Sequence, residues 1–250
     1  MPAILSKEIK NSIGFIFIDE NFEKVPIGTG FWLEHNGFIY FVTAKHVIKD
    51  IKKFFIRLNT KDKSVYVKYN VKKDGRPMYH KNNAVDIAVL KTVPPKNTEV
   101  SVLNSGCIVD KNFIDSVGLF EGDDVFFVGL LPQIFGNIRN TPVVRTGRIA
   151  LITDEPFIDD IGCAHYHFIE ANCYPGNSGC PVFVRIATMD TSGAMTYSNS
   201  MVMLLGVMYG YLNQIKEVGG GLISKPVEFD ENVNIAMVSQ GAALLEILNS

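Results

Sequence analysis

Ser178 sits in the stretch CYPGNSGCPVF, residues 173–183, where two glycines, an asparagine and two prolines surround one hydroxyl before an apolar run begins. Glycine and proline at that density make a tight turn, so a turn residue is the plain reading of Ser178. A serine hydroxyl becomes an effective nucleophile near neutral pH only with a base in hydrogen-bond reach and N–H donors aimed at the developing oxyanion. Five histidines could supply the base, His35, His46, His80, His165 and His167, and all precede Ser178. That order excludes the arrangement in which the serine precedes its acid and histidine, and GNSGC lacks the last glycine of GxSxG. The order His, Asp, Ser remains.

The settings of the histidines differ. His35 adjoins the turn former Asn36-Gly37 and His80 lies in the polar loop MYHKNN, where surface roles are the default. His165 and His167 alternate, which predicts one shared strand face with a core or cross-strand role; two histidines are too few to hold a metal. His46 directly follows the apolar run FIYFVTA, at a strand end entering a helical turn, where a rigid scaffold presents a functional side chain. For the acid that orients it, Asp86 is a lone carboxylate at the mouth of DIAVLK. Isolated carboxylates are rarely buried without a partner, and a loop-to-strand cap is the bland alternative. TAKH, DIAVL and GNSGCP occur in the required order, each at a strand edge, which makes independent coincidence a poor explanation.

The elements that must position these groups read as strands. The 250 residues are 47% hydrophobic, with 17 Phe and 9 Tyr punctuated by 21 Gly and 11 Pro, a composition that favours short strands and turns around a large core. IGFIFI, GTGFWLEHNGFIYFVTA, SVYVKYNV, DIAVLKT, DDVFFVGLL, VVRTGRIALI, AHYHFIEA, CPVFVRI, MVMLLGVMYGYL and NVNIAMV are each bounded by Gly, Pro, Asn or Asp. With no helices alternating between them, the expectation is an all-β chain of antiparallel barrels or sandwiches. Asn36-Gly37 predicts a two-residue hairpin. In SVYVKYNV, Val65, Val67, Tyr69 and Val71 alternate with Tyr66, Lys68 and Asn70. Helix is expected only at AKHVIKD and in the tail SQGAALLEILNS, with Ser239 as cap and Leu244, Leu245 and Leu248 on one face. Strand density dips at 104–124, which places a boundary near residue 115 between halves spanning 1–115 and 116–250. Residues 187–200, polar and turn-rich, predict an exposed hairpin tip.

No apolar run reaches the ~20 residues of a membrane span, and MPAILSKEIKNS lacks the pattern of a signal peptide, so neither membrane nor export is expected. Cys107, Cys163, Cys173 and Cys180 form no metal-like spacing and read as reduced thiols in a cytoplasmic protein, although a Cys173–Cys180 disulfide would need only suitable geometry. The net charge of −2 conceals ten Lys or Arg against Asp62 and Asp74 in residues 52–81. Their scatter and the lack of interleaved aromatics favour a solvated hairpin face over a nucleic-acid surface.

GTGFWL…FVTAKHV, DIAVL and PGNSGCPVF together resemble the three signature blocks of the chymotrypsin-like, or trypsin-like, serine peptidases in their bacterial form, over about residues 12–248. The resemblance implies two six-stranded antiparallel barrels with a C-terminal helix, the first carrying His46 and Asp86 and the second Ser178. It implies His46 as general base then acid, Asp86 as the group fixing its tautomer, Ser178 as nucleophile and the Gly176 and Ser178 N–H groups as the oxyanion hole. No cofactor is implied. Digestive members have Asp where Asn177 stands, pairing it with a freshly cleaved N-terminus; Asn177 implies no such activation and fits the HtrA-type and glutamyl-endopeptidase branches, which also read GNSG. Val47 replaces a cysteine and Lys45 a small residue beside the histidine. Met208 stands near the position where glutamyl endopeptidases have a histidine that helps bind acidic side chains, so Asn172, Cys173, Val207 and Met208 suggest a pocket for an uncharged, small to medium, apolar P1 side chain. Core strand is the plain reading of most of MVMLLGVM. No PDZ domain is expected after residue 250, unlike typical HtrA-type members.

The leading expectation is a cytoplasmic serine endopeptidase acting on proteins or peptides. The alternative is a latent or idle trypsin-like fold acting as a binding protein under a regulatory protein partner, because a fold does not itself confer activity.

Overall fold

The computed structural model describes residues 7–20, 23–159, 162–189, 195–218 and 227–250. The first half holds β1 (Ile13–Glu20), β2 (Glu23–His35), β3 (Phe38–Thr43), β4 (Lys53–Asn59), β5 (Ser64–Asn70), β6 (Met78–Tyr79), β7 (Ala88–Lys91) and β8 (Leu103–Asn104). The second holds β9 (Asp124–Gly129), β10 (Val143–Leu151), β11 (Phe157–Asp159), β12 (Gly162–Ala164), β13 (Tyr166–Glu170), β14 (Pro181–Met189), β15 (Met195–Val218) and β16 (Val227–Gln240). The helices are short: α1 (Lys7–Asn11), α2 (Lys45–Ile48), α3 (Val71–Asp74), α4 (Lys111–Val117) and α5 (Gly241–Leu248). None of the described helices is long and apolar enough to cross a membrane.

Local chemistry sets these elements. Asn36 and Gly37 take φ values of 50° and 80°, the doubly left-handed turn that pairs His35 with Phe38 and so registers β2 on β3. In β5 the alternation holds, with Tyr69 buried and Tyr66 and Lys68 exposed. Residue 115 falls inside α4, whose N-cap Asp110 accepts from Phe113 N–H at 2.8 Å. At the tail, α5 buries Leu244, Ile247 and Leu248, but its N-cap is Gln240. Ser239 does not cap it, because β16 runs through that residue and pairs it with Tyr166 and Val207 on both sides.

The first sheet runs β5-β4-β1-β2-β3-β7-β6, with β8 beside β2, while β10-β13-β16-β15-β14-β9 close into a six-stranded barrel. The second half therefore closes as expected, but the first stays open at one seam. β6 is two residues long and pairs only with β7, and among the described strands none but β4 pairs with β5, whose Ser64 N–H donates to Ile138 O at 2.7 Å. Val67, Lys68 and Tyr69 of β5 nevertheless line one cavity of about 520 Å³ with Lys91 of β7 and Trp32, so the sheet rolls up without closing. The hairpin β14–β15 pairs out to Met189 and Met195; the expected tip between them lies outside the described residues.

The halves share one core. Phe15, Phe31 and Leu33 of the first pack in the same cluster as Phe126, Phe183 and Leu204 of the second. Phe15, Phe17 and Phe31 are fully buried, each contributing about 2 kcal/mol relative to exposure. A polar seam adds to this. The buried Arg57 donates from Nη1 to Gly136 O at 2.7 Å and from Nη2 to Asn137 O at 3.0 Å, while Asn140 Nδ2 donates to Arg57 O at 2.7 Å. Arg57 is thus withdrawn from the basic 52–81 segment, whose other nine cations are exposed along a hairpin and its loops.

Candidate active site

His46 is the second residue of α2, immediately after β3 ends at Thr43, and Asp86 precedes β7, which pairs with β3. That pairing brings the two together. His46 Nδ1 lies 2.6 Å from Asp86 Oδ2, and the His46 backbone N–H donates to Asp86 Oδ1 at 2.8 Å. Asp86 is 4% exposed, so both oxygens of a buried carboxylate are committed to one residue. An ionised carboxylate only accepts; the imidazole therefore carries its proton on Nδ1 and leaves the Nε2 lone pair free. Lys45, which adjoins the imidazole in sequence, sends its ammonium to Asn83 O at 2.8 Å.

Ser178 belongs to the turn before β14 and approaches from the second barrel. Its hydroxyl donates to the Tyr209 carbonyl at 3.2 Å. The Tyr209 ring meets His46 edge-on at 5.8 Å, so one residue touches both the hydroxyl and the imidazole. Behind it, Tyr166 stacks on Tyr209 at 5.5 Å and donates from its hydroxyl to Ala84 O at 2.8 Å, two residues before Asp86. Gly28 marks how closely the halves meet, since a Cβ there would lie 2.8 Å from Val47 and 3.4 Å from Ser178 O.

The turn itself is locked from three directions. Gly176 takes φ 96°, and a Cβ would press on Leu130 and Pro132 at 3.2 Å. Thr29, fully buried on β2, donates its backbone N–H to Ser178 O at 3.0 Å and its hydroxyl to Gly176 O at 2.8 Å. With both carbonyls held toward Thr29, neither the Gly176 nor the Ser178 N–H has a partner among the described residues. Asn177, 3% exposed, accepts from Tyr174 N–H at 2.9 Å and donates from Nδ2 to Leu130 O at 2.8 Å. Both functions of an amide are used, which accounts physically for Asn at this position.

The other candidates lie elsewhere. His35 bonds Ser105 and Asn249, and His80 pairs with Glu246 on α5 at 2.7 Å, so both tie the tail to the first sheet. His165 and His167 do not share a strand face: the chain breaks between β12 and β13 at His165, which is exposed, while His167 is 3% exposed. Of the residues expected to line a P1 pocket, Asn172 is exposed, and its carbonyl accepts from Arg145 Nη1 at 3.1 Å. Cys173, Val207 and Met208 are 1%, 0% and 0% exposed and pack in the apolar core, with Cys173 Sγ 3.9 Å from Met208 Sδ. All four thiols are free, and burial pushes those of Cys173 and Cys180 up to about 12. Thr29, Tyr166 and Tyr209 went unnoticed in the sequence. The signal for Tyr209 was an aromatic breaking the aliphatic run MVMLLGVM.

No curated protein matches the chain. The protease domain of MamO from Magnetospirillum magneticum, in its apo form, is similar in structure, with a TM-score of 0.51 at 15% identity over 80% of this chain and 94% of that one. An inactive serine-to-alanine mutant of Rv3671c from M. tuberculosis aligns at 16% identity over 96% of this chain and 86% of that one, with a TM-score of 0.49. At 15% identity the MamO domain speaks to fold alone, and the second likeness carries no argument. The model of the trypsin-like peptidase domain matches residues 28–186, a span that includes His46, Asp86 and Ser178, and the chain belongs to that family.

Proposed function

We propose that the protein is a serine endopeptidase that hydrolyses peptide bonds in proteins or peptides through His46, Asp86 and Ser178, without a cofactor. The observation that carries this reading is the pairing of His46 Nδ1 with the buried Asp86, which leaves Nε2 as the base of a ring that packs edge-on against the same tyrosine that holds the Ser178 hydroxyl. Ser178 rotates from the Tyr209 carbonyl to His46 Nε2, gives up its proton as Oγ attacks the scissile carbonyl, and forms the tetrahedral intermediate. The unpartnered N–H groups of Gly176 and Ser178 receive the oxyanion, each contributing about 3 kcal/mol to the transition state. The imidazolium, stabilised by Asp86, then protonates the leaving amine, and water repeats the sequence to release the acid. An uncharged P1 side chain fits beside Gly210, where an added Cβ would touch nothing within 4 Å. We place the enzyme in the cytoplasm, with the open first sheet and the closed second barrel as its two structural units, 1–115 and 116–250.

A fluorophosphonate probe tests the reading: labelling of the purified protein that disappears in Ser178→Ala and falls by about 10³ or more in His46→Ala supports it. One observation favours the second reading, a latent protein released by a regulatory partner. The Ser178 hydroxyl is bonded to Tyr209 O and not to His46. Labelling that requires an added partner supports latency, and none under any condition supports an idle scaffold.

A further inference from the structure

Away from the Ser178 turn, the second barrel carries a cavity of about 170 Å³ between α4, the segment after β10 and the junction of β16 with α5. His167 of β13 lines it, 3% exposed, and its Nδ1 has no hydrogen-bond partner among the described residues. A buried nitrogen of that kind costs stability until a partner occupies it. Asp110, Asp115 and Asp154 line the same cavity with one ammonium, Lys111, which pairs with Asp154 at 3.0 Å. Three carboxylates against one cation give the site net negative charge. Burial lowers the His167 pKa to about 4, so the ring is uncharged at neutral pH and offers a lone pair. No group of three or more His, Cys, Asp or Glu among the described residues is arranged to hold a metal ion, whereas a larger organic cation needs no such tight convergence. A water needs only roughly 10–15 Å³ of such volume, so the cavity admits a small organic group.

We propose that this cavity is a binding site for an alkylguanidinium or alkylammonium group, the cation donating an N–H to His167 and facing Asp110, Asp115 and Asp154. Ile114 and Ile152, also lining it, receive the alkyl stem. An arginine or lysine side chain of a peptide and a free alkylguanidine share this chemistry. Asp154 and Lys111 are 88% and 69% exposed, so a ligand displaces that ion pair at little cost.

The experiment follows the imidazole ¹⁵N resonances of His167, assigned by their loss in His167→Phe, during titration of the whole protein. The probes are ethylguanidinium and N-acetylarginine amide, with N-acetylnorleucine amide as the uncharged control. Saturable shifts with either cation and none with the control are expected; a response to the amide alone identifies a peptide as the source, and a response to both identifies the guanidinium itself. Asp115→Asn should weaken binding about threefold, and Lys111→Met should tighten it by a similar factor because the competing ammonium is gone. Both substitutions lie on the surface, and if His167→Phe fails to fold, substituting His35, His46, His80 and His165 one at a time assigns the His167 resonances by elimination. A cavity that holds only water would give no saturable shift. That result, equal binding of the uncharged control, or affinities indifferent to both substitutions overturns the proposal.

Discussion

Asn177→Asp is isosteric and replaces one amide N–H₂ with an oxygen, so it isolates the lock on the Ser178 turn. In the wild-type protein Nδ2 donates to the Leu130 carbonyl at 2.8 Å, inside a side chain only 3% exposed. An ionised carboxylate would set two acceptor oxygens at that separation. Losing the donor leaves Leu130 O unpartnered, which costs about 1–3 kcal/mol, and burying the new charge adds about 1.4 kcal/mol for each unit by which its pKa rises. Together these predict about 3 kcal/mol of destabilisation at neutral pH, a fall in Tm of roughly 6–12 °C for a chain of this size. The sign of the pH dependence follows. Burial raises the folded-state pKa of the introduced carboxyl above its unfolded value near 3.9, so the deficit against wild type is smallest below that value, where the neutral acid donates to Leu130. It grows as pH rises through the folded pKa. Because the turn also aims the Gly176 and Ser178 N–H groups, fluorophosphonate labelling of Ser178 should slow at least tenfold at neutral pH and recover little with a larger probe. Thermal unfolding from pH 4 to 8, with labelling rates at the upper end, measures both effects. A variant as stable and reactive as wild type at pH 8, or a deficit that does not change with pH, refutes the assignment of Asn177 as the lock.

Thr29→Val keeps the shape of Thr29 but removes the hydroxyl that donates to Gly176 O and accepts from Leu130 N–H. Labelling of Ser178 should fall about tenfold for a stability loss of only about 1–2 kcal/mol, and Thr29→Ser should restore the rate; equal effects of Val and Ser would contradict it. The His167 pKa of about 4 lies below its unfolded value of 6.5, so the unfolded chain binds the extra proton first. Its contribution is complete above about pH 6.5 and is lost as pH falls toward 4, up to about 3 kcal/mol, in the presence of Asp110, Asp115, Asp154 and Lys111 around the cavity. Urea denaturation of His167→Phe should show a shallower loss between those limits. With maleimide at pH 8, the exposed Cys163 should react within minutes, while Cys173 and Cys180, with thiols pushed up to about 12, should react only at the rate of unfolding.

The sequence carried the parts of the site that are local. His46 and Asp86 were legible because each sits where an apolar strand begins or ends, and a lone polar group there has few structural uses. Asn36-Gly37 announced its hairpin because few other residue pairs take two positive φ values in succession. The parts that failed depend on partners far along the chain. Whether Cys173 and Met208 face a pocket or each other is decided by how β15 crosses the second barrel, and Ser239 does not cap α5 because β16 runs two residues past NVNIAMV, through Ser239 and Gln240. The break at His165 is likewise tertiary: Asp159 pairs with Gly162 and Phe157 with Ala164 in a separate two-stranded sheet, which ends before β13 joins the barrel.

The least legible feature is also the one on which the proposed chemistry rests. Gly176, Asn177 and Ser178 suffice to announce a turn, but a turn of this composition could direct its N–H groups anywhere. Their direction comes from the first half of the chain, where Thr29 holds the Gly176 and Ser178 carbonyls, and from Leu130, which holds the Asn177 amide. Thr29 is itself fixed by Thr43, whose hydroxyl donates to Thr29 O at 2.6 Å, three residues before His46. The bonds that orient the Ser178 turn therefore continue through Thr29 and Thr43 to the strand that ends at His46. Loosening the contact between the two halves should then disturb base and nucleophile together.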